Sequence, residues 1–143
     1  SNSRIKENLK SWLTQYKAIN DAIEIFDAKI INFGIEFDIS IDNRFSRDQV
    51  LFSAIDNLKS NYMMKKYIGE PIYLTEIYNT LVKTNGVVDV KKLNIVNKFG
   101  GAHSSIPFDF DKVRSKDGTF FKAPKNVIFE LKFPEQDIKG TVK

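Results

Sequence analysis

The sequence contains no cysteine. That excludes a disulfide framework, a catalytic thiolate and any thiolate-bound metal. It contains one histidine, His103, and a single imidazole without cysteine partners cannot build a zinc site. No apolar run approaches the length of a membrane span, and no charged, apolar and small-residue series marks a secretory leader. Internal repeats and low-complexity tracts are also absent. No initiator methionine opens the chain, so residues 1–3 read as a cloning remnant and residues 4–143 as one domain cut from a longer protein.

What is present is an ordinary globular balance in 143 residues, with 42% hydrophobic and 28% charged side chains, twelve phenylalanines and a formal charge of +4. The segment Ile30-Ile31-Asn32-Phe33-Gly34-Ile35-Glu36-Phe37-Asp38-Ile39-Ser40-Ile41 alternates apolar and polar residues, so a strand is predicted from about residue 28 to 41 with one dry face and one wet face. Upstream, Ile5, Leu9, Trp12, Leu13 and Tyr16 share a helical face and predict an amphipathic helix over 4–17. Residues 19–28 fit either a short strand or a bend.

Ser46-Arg47-Asp48-Gln49 reads as a capping box. It opens a helix whose stripe is Val50, Leu51, Ala54, Ile55, Leu58 and Tyr62. After Gly69-Glu70-Pro71, Thr75 is the expected cap of a further helix, with Ile77, Tyr78, Leu81 and Val82 as its buried stripe and Asn85-Gly86 as its stop. A strand follows from Val87 to Val96, with Lys91-Lys92 marking a bulge. Between Phe99 and Asn126 the signal fades into loop residues, with a small hairpin at Asp117-Gly118. Val127, Phe129, Leu131 and Phe133 alternate as a last strand that Pro134 stops. The order predicts an α+β two-layer sandwich. Its mixed or antiparallel sheet of three or four strands is covered on one face by two helices, with the N-terminal helix in addition.

Candidate chemistry is thin. Glu36 and Asp38 project from one strand face as a hydrolase-like carboxylate pair would, but a solvated face is the simpler reading. His103 in Gly100-Gly101-Ala102-His103-Ser104-Ser105 has no orienting acid nearby in sequence and reads as an exposed loop residue. Gly100-Gly101 lacks the strand-to-helix setting of a phosphate loop, and Asp109-Phe110-Asp111 lacks the further oxygens of a calcium loop. No enzymatic activity and no cofactor are expected. Lys112, Arg114, Lys116, Lys122 and Lys125 interleave with Phe108, Phe110, Phe120 and Phe121, which allows an alternative reading as a nucleic-acid-binding module. Acidic residues scattered among them favour a solvated mixed surface, and nucleic acid is not the expected partner. The same four phenylalanines, with Met63, Met64 and Tyr67, are the candidate protein-contact residues; a local mini-core beneath the loop is the equal rival for the phenylalanines.

Three segments carry a resemblance. They are Asn20-Asp21-Ala22-Ile23-Glu24-Ile25 and Asp27-Ala28 running into Ile30–Ile35; Glu70-Pro71-Ile72 with the helix leading into Asn85-Gly86-Val87-Val88-Asp89-Val90; and Ile128-Phe129-Glu130-Leu131-Lys132-Phe133-Pro134 to Asp137-Ile138-Lys139-Gly140. Together, from about Leu9 onward, they resemble the C-terminal domain of the baseplate wedge subunit of T4-like contractile-tailed bacteriophages, within the baseplate J-like family. The resemblance implies a virion structural protein of the tail baseplate, assembled in the host cytoplasm. Its members form the inner ring that joins wedges around the hub. The implied partners are a second copy, as a homodimer, and other baseplate wedge proteins, with no membrane and no small-molecule substrate.

Overall fold

A computed structural model describes residues 28–63 and 69–143. The expected helix over 4–17 and the ambiguous segment that follows lie outside the described residues, apart from Ala28. The alternating segment forms β1, Lys29–Ile41, with Ile31, Phe33, Ile35, Phe37 and Ile39 all buried. It is the centre of a mixed four-stranded sheet. On one side β3, Val87–Asn97, pairs antiparallel with residues 33–41. On the other side β5, Val127–Glu130, and β6, Ile138–Val142, lie end to end, both parallel to β1. The α+β expectation holds.

Two helices cover the dry face. In α1, Arg47–Met63, the Val50 amide donates to the Ser46 carbonyl at 3.0 Å, so the helix starts where the capping box places it. Val50, Ala54 and Leu58 are buried, and Leu51, Ile55 and Tyr62 pack against the core beside them. The second helix, α2, Leu74–Val82, starts earlier than expected. Tyr73, in extended backbone with no side-chain cap, takes the N-cap place assigned to Thr75. The reason is tertiary: the Leu74 amide donates to the Thr119 carbonyl at 2.8 Å, so a distant loop satisfies the first orphan donor and the helix begins ahead of Thr75. Ile77 and Leu81 are buried as expected, whereas Tyr78 and Val82 are exposed. Asn57 on α1 donates to Thr84 at 3.1 Å and Asn61 to Thr80 at 2.7 Å, which fixes the two helices side by side.

The Lys91-Lys92 bulge is present: Asp38 pairs with Lys92 and Ile39 with Val90, leaving Lys91 unpaired. A second irregularity leaves Val88 unpaired. Gly86 turns the chain from α2 into β3 at φ +93°, where a Cβ would also lie 2.7 Å from Val50.

The segment after Phe99 is a folded cover rather than an open loop. A 3₁₀ turn at Phe110–Val113 is capped by Asp109, which accepts from the Asp111 amide at 3.0 Å. A hairpin closes between Arg114 and Phe121. Its strand β4, Phe120–Phe121, pairs antiparallel with β2, Ile72–Tyr73. The expected turn at Asp117-Gly118 is its tip. Asp117 Oδ1 accepts from the Ser115 hydroxyl at 2.6 Å, the Thr119 hydroxyl at 2.7 Å and the Thr119 amide at 3.1 Å. The Ser115 and Thr119 hydroxyls hold its carboxyl down at about 2, from an ordinary 3.8. A carboxyl depressed on folding contributes stability that is complete above its ordinary value and is lost as pH falls toward the folded one. The hairpin is therefore expected to loosen between about pH 4 and pH 2. Amide shifts of Thr119 and Phe120 followed by NMR should titrate in that window, and Asp117→Asn should abolish the titration.

The last strand departs from expectation. β5 ends at Glu130, and Pro134 does not end the structure. It opens a single turn, α3, Pro134–Asp137, after which β6 rejoins β1. A proline suits the first position of a helical turn, so the residue read as a stop is a start.

Candidate contact surface

The aromatic residues of the cover divide sharply. Phe110 and Phe121 are buried, with rings 5.5 Å apart and nearly perpendicular. Phe110 also meets Phe108 at 4.9 Å and Phe129 at 5.4 Å. This is the mini-core that the sequence left as a rival reading. Three of the four rings belong to it: Phe110 and Phe121 are buried and Phe108 is half-buried against the core. Neither buried ring can meet a partner, or stack on a base, without opening the cluster. Phe120 alone stays at the surface side, 5.7 Å from the exposed Tyr73 ring. Of the other contact candidates, Met63 is the last residue of α1, while Met64 and Tyr67 lie outside the described residues.

The structure adds residues that the sequence reading missed. Tyr78 and Val82, four apart on α2, share one outward face and are 43% and 40% exposed. They were assigned to the buried stripe because each follows a buried residue. One residue is a rotation of about 100° on a helix, enough to carry the side chain from core to solvent. Phe52, 73% exposed, stands alone on the outer side of α1.

The wet face of β1 is half covered. Asn32 and Gly34 are buried, contrary to a fully solvated face. Asn32 is the anchor. Its Oδ1 accepts from the Ser104 amide at 2.6 Å, and its Nδ2 donates to Glu130 Oε1 at 3.0 Å. His103, expected to be exposed, is mostly buried and donates from Nε2 to Asp137 Oδ2 at 2.8 Å. The same oxygen accepts from the Phe133 amide at 3.3 Å. His103 thus has an orienting acid after all, supplied from 34 residues downstream. The pair joins the glycine-rich loop to α3. Ser104 spends its amide on Asn32 and its hydroxyl on the Ile106 amide at 3.3 Å, both within the anchor. The arrangement is chemically a tie between loop and sheet.

Farther along, Glu36 is exposed, and Asp38 accepts from the Thr141 hydroxyl with Lys143 Nζ 3.4 Å away. The hydroxyl first, then Lys143, holds the Asp38 carboxyl below the usual range. A general acid would need the opposite shift. The hollow they line is about 240 Å³. Among the described residues no group of three or more His, Asp or Glu side chains could hold a metal ion, and no helix is long and apolar enough to cross a membrane. On the basic side, the Arg114 guanidinium lies over the Phe121 ring at 5.6 Å.

Compared with known proteins, the sequence matches no family model and no curated protein.

Proposed function

We propose that this domain is an assembly module of a contractile-tail baseplate wedge, binding a second copy of itself and neighbouring wedge proteins. The observation that carries the reading is where the sequence likeness falls. Its three segments correspond to β1, to β2–α2–β3 and to β5–α3–β6, which together make the sheet and one covering helix. A likeness spread over a framework, with no reactive constellation among its described residues, suits a building block. The exposed apolar side chains Tyr73, Tyr78 and Val82 on β2 and α2, with the half-buried Phe120 ring of β4 beside Tyr73, offer surface for the contacts.

Hydrogen exchange tests this. Between nanomolar and tens of micromolar protein, amides around Tyr73–Val82 and Phe120 should gain protection on concentration while those of β6 do not change. Protection that is independent of concentration throughout would remove these residues from any self-contact. Basic loop residues binding nucleic acid would instead show a steep loss of single-strand affinity with salt. No such binding is expected even at low salt.

A further inference from the structure

β3 is an edge of the four-stranded sheet, with β1 on its inner side. An edge strand turns a row of backbone groups away from the sheet, and proteins blunt such edges with charges, bulges or local covers. The first half of β3 is blunted in each of these ways. Asp89, Lys91 and Lys92 supply charge, and Val88 and Lys91 lie at the two irregularities. The Asp89 carboxylate accepts from the Val90 amide at 2.9 Å. The second half, residues 93–97, has neither charge nor bulge.

One bond sets the phase of the ladder in that second half. The Lys98 amide donates to the Asn32 carbonyl at 3.0 Å. In an antiparallel pair, residues bonded to the partner alternate with residues whose amide and carbonyl face away from it. Val96 and Asn94, opposite Gly34 and Glu36, therefore bond to β1, while Ile95 and Leu93 turn their backbone groups outward. Among the described residues no acceptor outside the sheet takes those two amides.

A recess of about 250 Å³ lies against the same stretch, lined by Leu93, Asn94, Ile95 and Val96. Successive side chains of a strand point to opposite faces, so a hollow that touches four in a row runs along the strand's edge. Leu74, Asp111, Arg114 and Phe121 form its other wall. The Arg114 guanidinium lies over the Phe121 ring and reaches the Gly118 carbonyl only at 3.5 Å. It pairs with no carboxylate among the described residues. Asp111 beside it disfavours an occupant with a run of acids. The wall also decides between kinds of occupant. A second copy would bring the same wall beside its own β3, and the two walls would meet before the two edges did. A single extended chain fits between edge and wall.

We propose that the edge of β3 at residues 93–97 receives an extended segment of another protein as an added strand. Main-chain bonds to Leu93 and Ile95 hold it, and alternate side chains, one apolar and one acidic, turn toward Phe121 and Arg114. The inference rests on the strand edge and is independent of the assembly reading, which uses a different surface.

Hydrogen exchange by NMR on the full chain, dilute and then with a blocked peptide Thr-Val-Thr-Glu-Thr at millimolar concentration, tests it. In the dilute chain Asn94 and Val96 should be protected, with Leu93 and Ile95 exchanging fast between them. The peptide should shift and protect Leu93 and Ile95. The same peptide N-methylated at alternate residues, which cannot pair as a strand, should do neither. Arg114→Gln should weaken the peptide about tenfold and leave the protection of Asn94 and Val96 as it was. Gln in place of the peptide's Glu, which leaves the protein untouched, should give the same loss. Leu93 and Ile95 amides that are already slow in the dilute chain would overturn the proposal, because the chain's own residues would then cover the edge. Protection that grows with protein concentration without peptide would give the edge to a second copy and overturn it equally. So would a peptide that leaves both amides unprotected, or one that binds as well when N-methylated.

Discussion

Phe121→Ala is expected to lower the unfolding free energy by about 3–5 kcal/mol, whereas Phe120→Ala, one residue earlier, should cost less than about 1 kcal/mol. The two side chains are adjacent, identical and on opposite faces of a two-residue strand. Phe121 is buried against Phe110, under the Arg114 guanidinium. Its removal leaves a cavity, and the rings around it are tied to the 3₁₀ turn and to β5 and cannot all collapse into the void. Phe120 touches Tyr73 at the surface and leaves no cavity behind. Urea denaturation of both variants reads the difference in midpoint at constant slope. Equal, small losses would mean that residues 99–126 are an appendage and not part of the core.

The second large effect concerns Gly140 in β6. A Cβ built there would lie 2.2 Å from Phe37 Cζ and 2.5 Å from Phe37 Cε2. Phe37 is a core residue of β1, held between the sheet and the helices, so its ring cannot simply move aside. Gly140→Ala is expected to cost about 1–3 kcal/mol through overpacking, and Gly140→Val more. Lys139→Ala, exposed on the same strand, should stay within about 0.5 kcal/mol. Shortening the obstructing ring gives the internal check. In the double variant Phe37→Leu with Gly140→Ala the cost should fall below the sum of the single costs, because the two sites share one contact. Additive losses would place β6 away from Phe37 and break the parallel pairing described above.

How legible this fold was depends on how local each signal is. β1 and α1 could be read because their burial follows a period that the sequence itself displays: Ile31 to Ile39 at every second residue, Val50, Ala54 and Leu58 at every fourth. The Lys91 bulge was legible for the same reason, as a break in alternation. The start of α2 was not, since its cap is the Thr119 carbonyl, 45 residues from Leu74. β6 was missed because five residues with a central glycine carry no strand pattern; what makes them a strand is an open edge of β1. The anchor at Asn32 follows the same logic. Its position on the polar side of β1 predicts solvent, and only the return of Ser104 and Glu130 over that face makes it buried. The candidate contact residues divided in this way too. Periodicity could not tell Phe120 from Phe121, because the pairing of β4 with β2 decides which ring turns inward.

The most direct test of the assembly account is the mass of the full chain in solution as a function of concentration, by sedimentation equilibrium, for the wild type and for Tyr78→Ser with Phe120→Ser. The account predicts a dimer at tens of micromolar that dissociates on dilution, and a variant that stays monomeric at the same concentrations with its urea midpoint little changed. A wild type that remains monomeric at every concentration, or a dimer that the double substitution leaves intact, would contradict it.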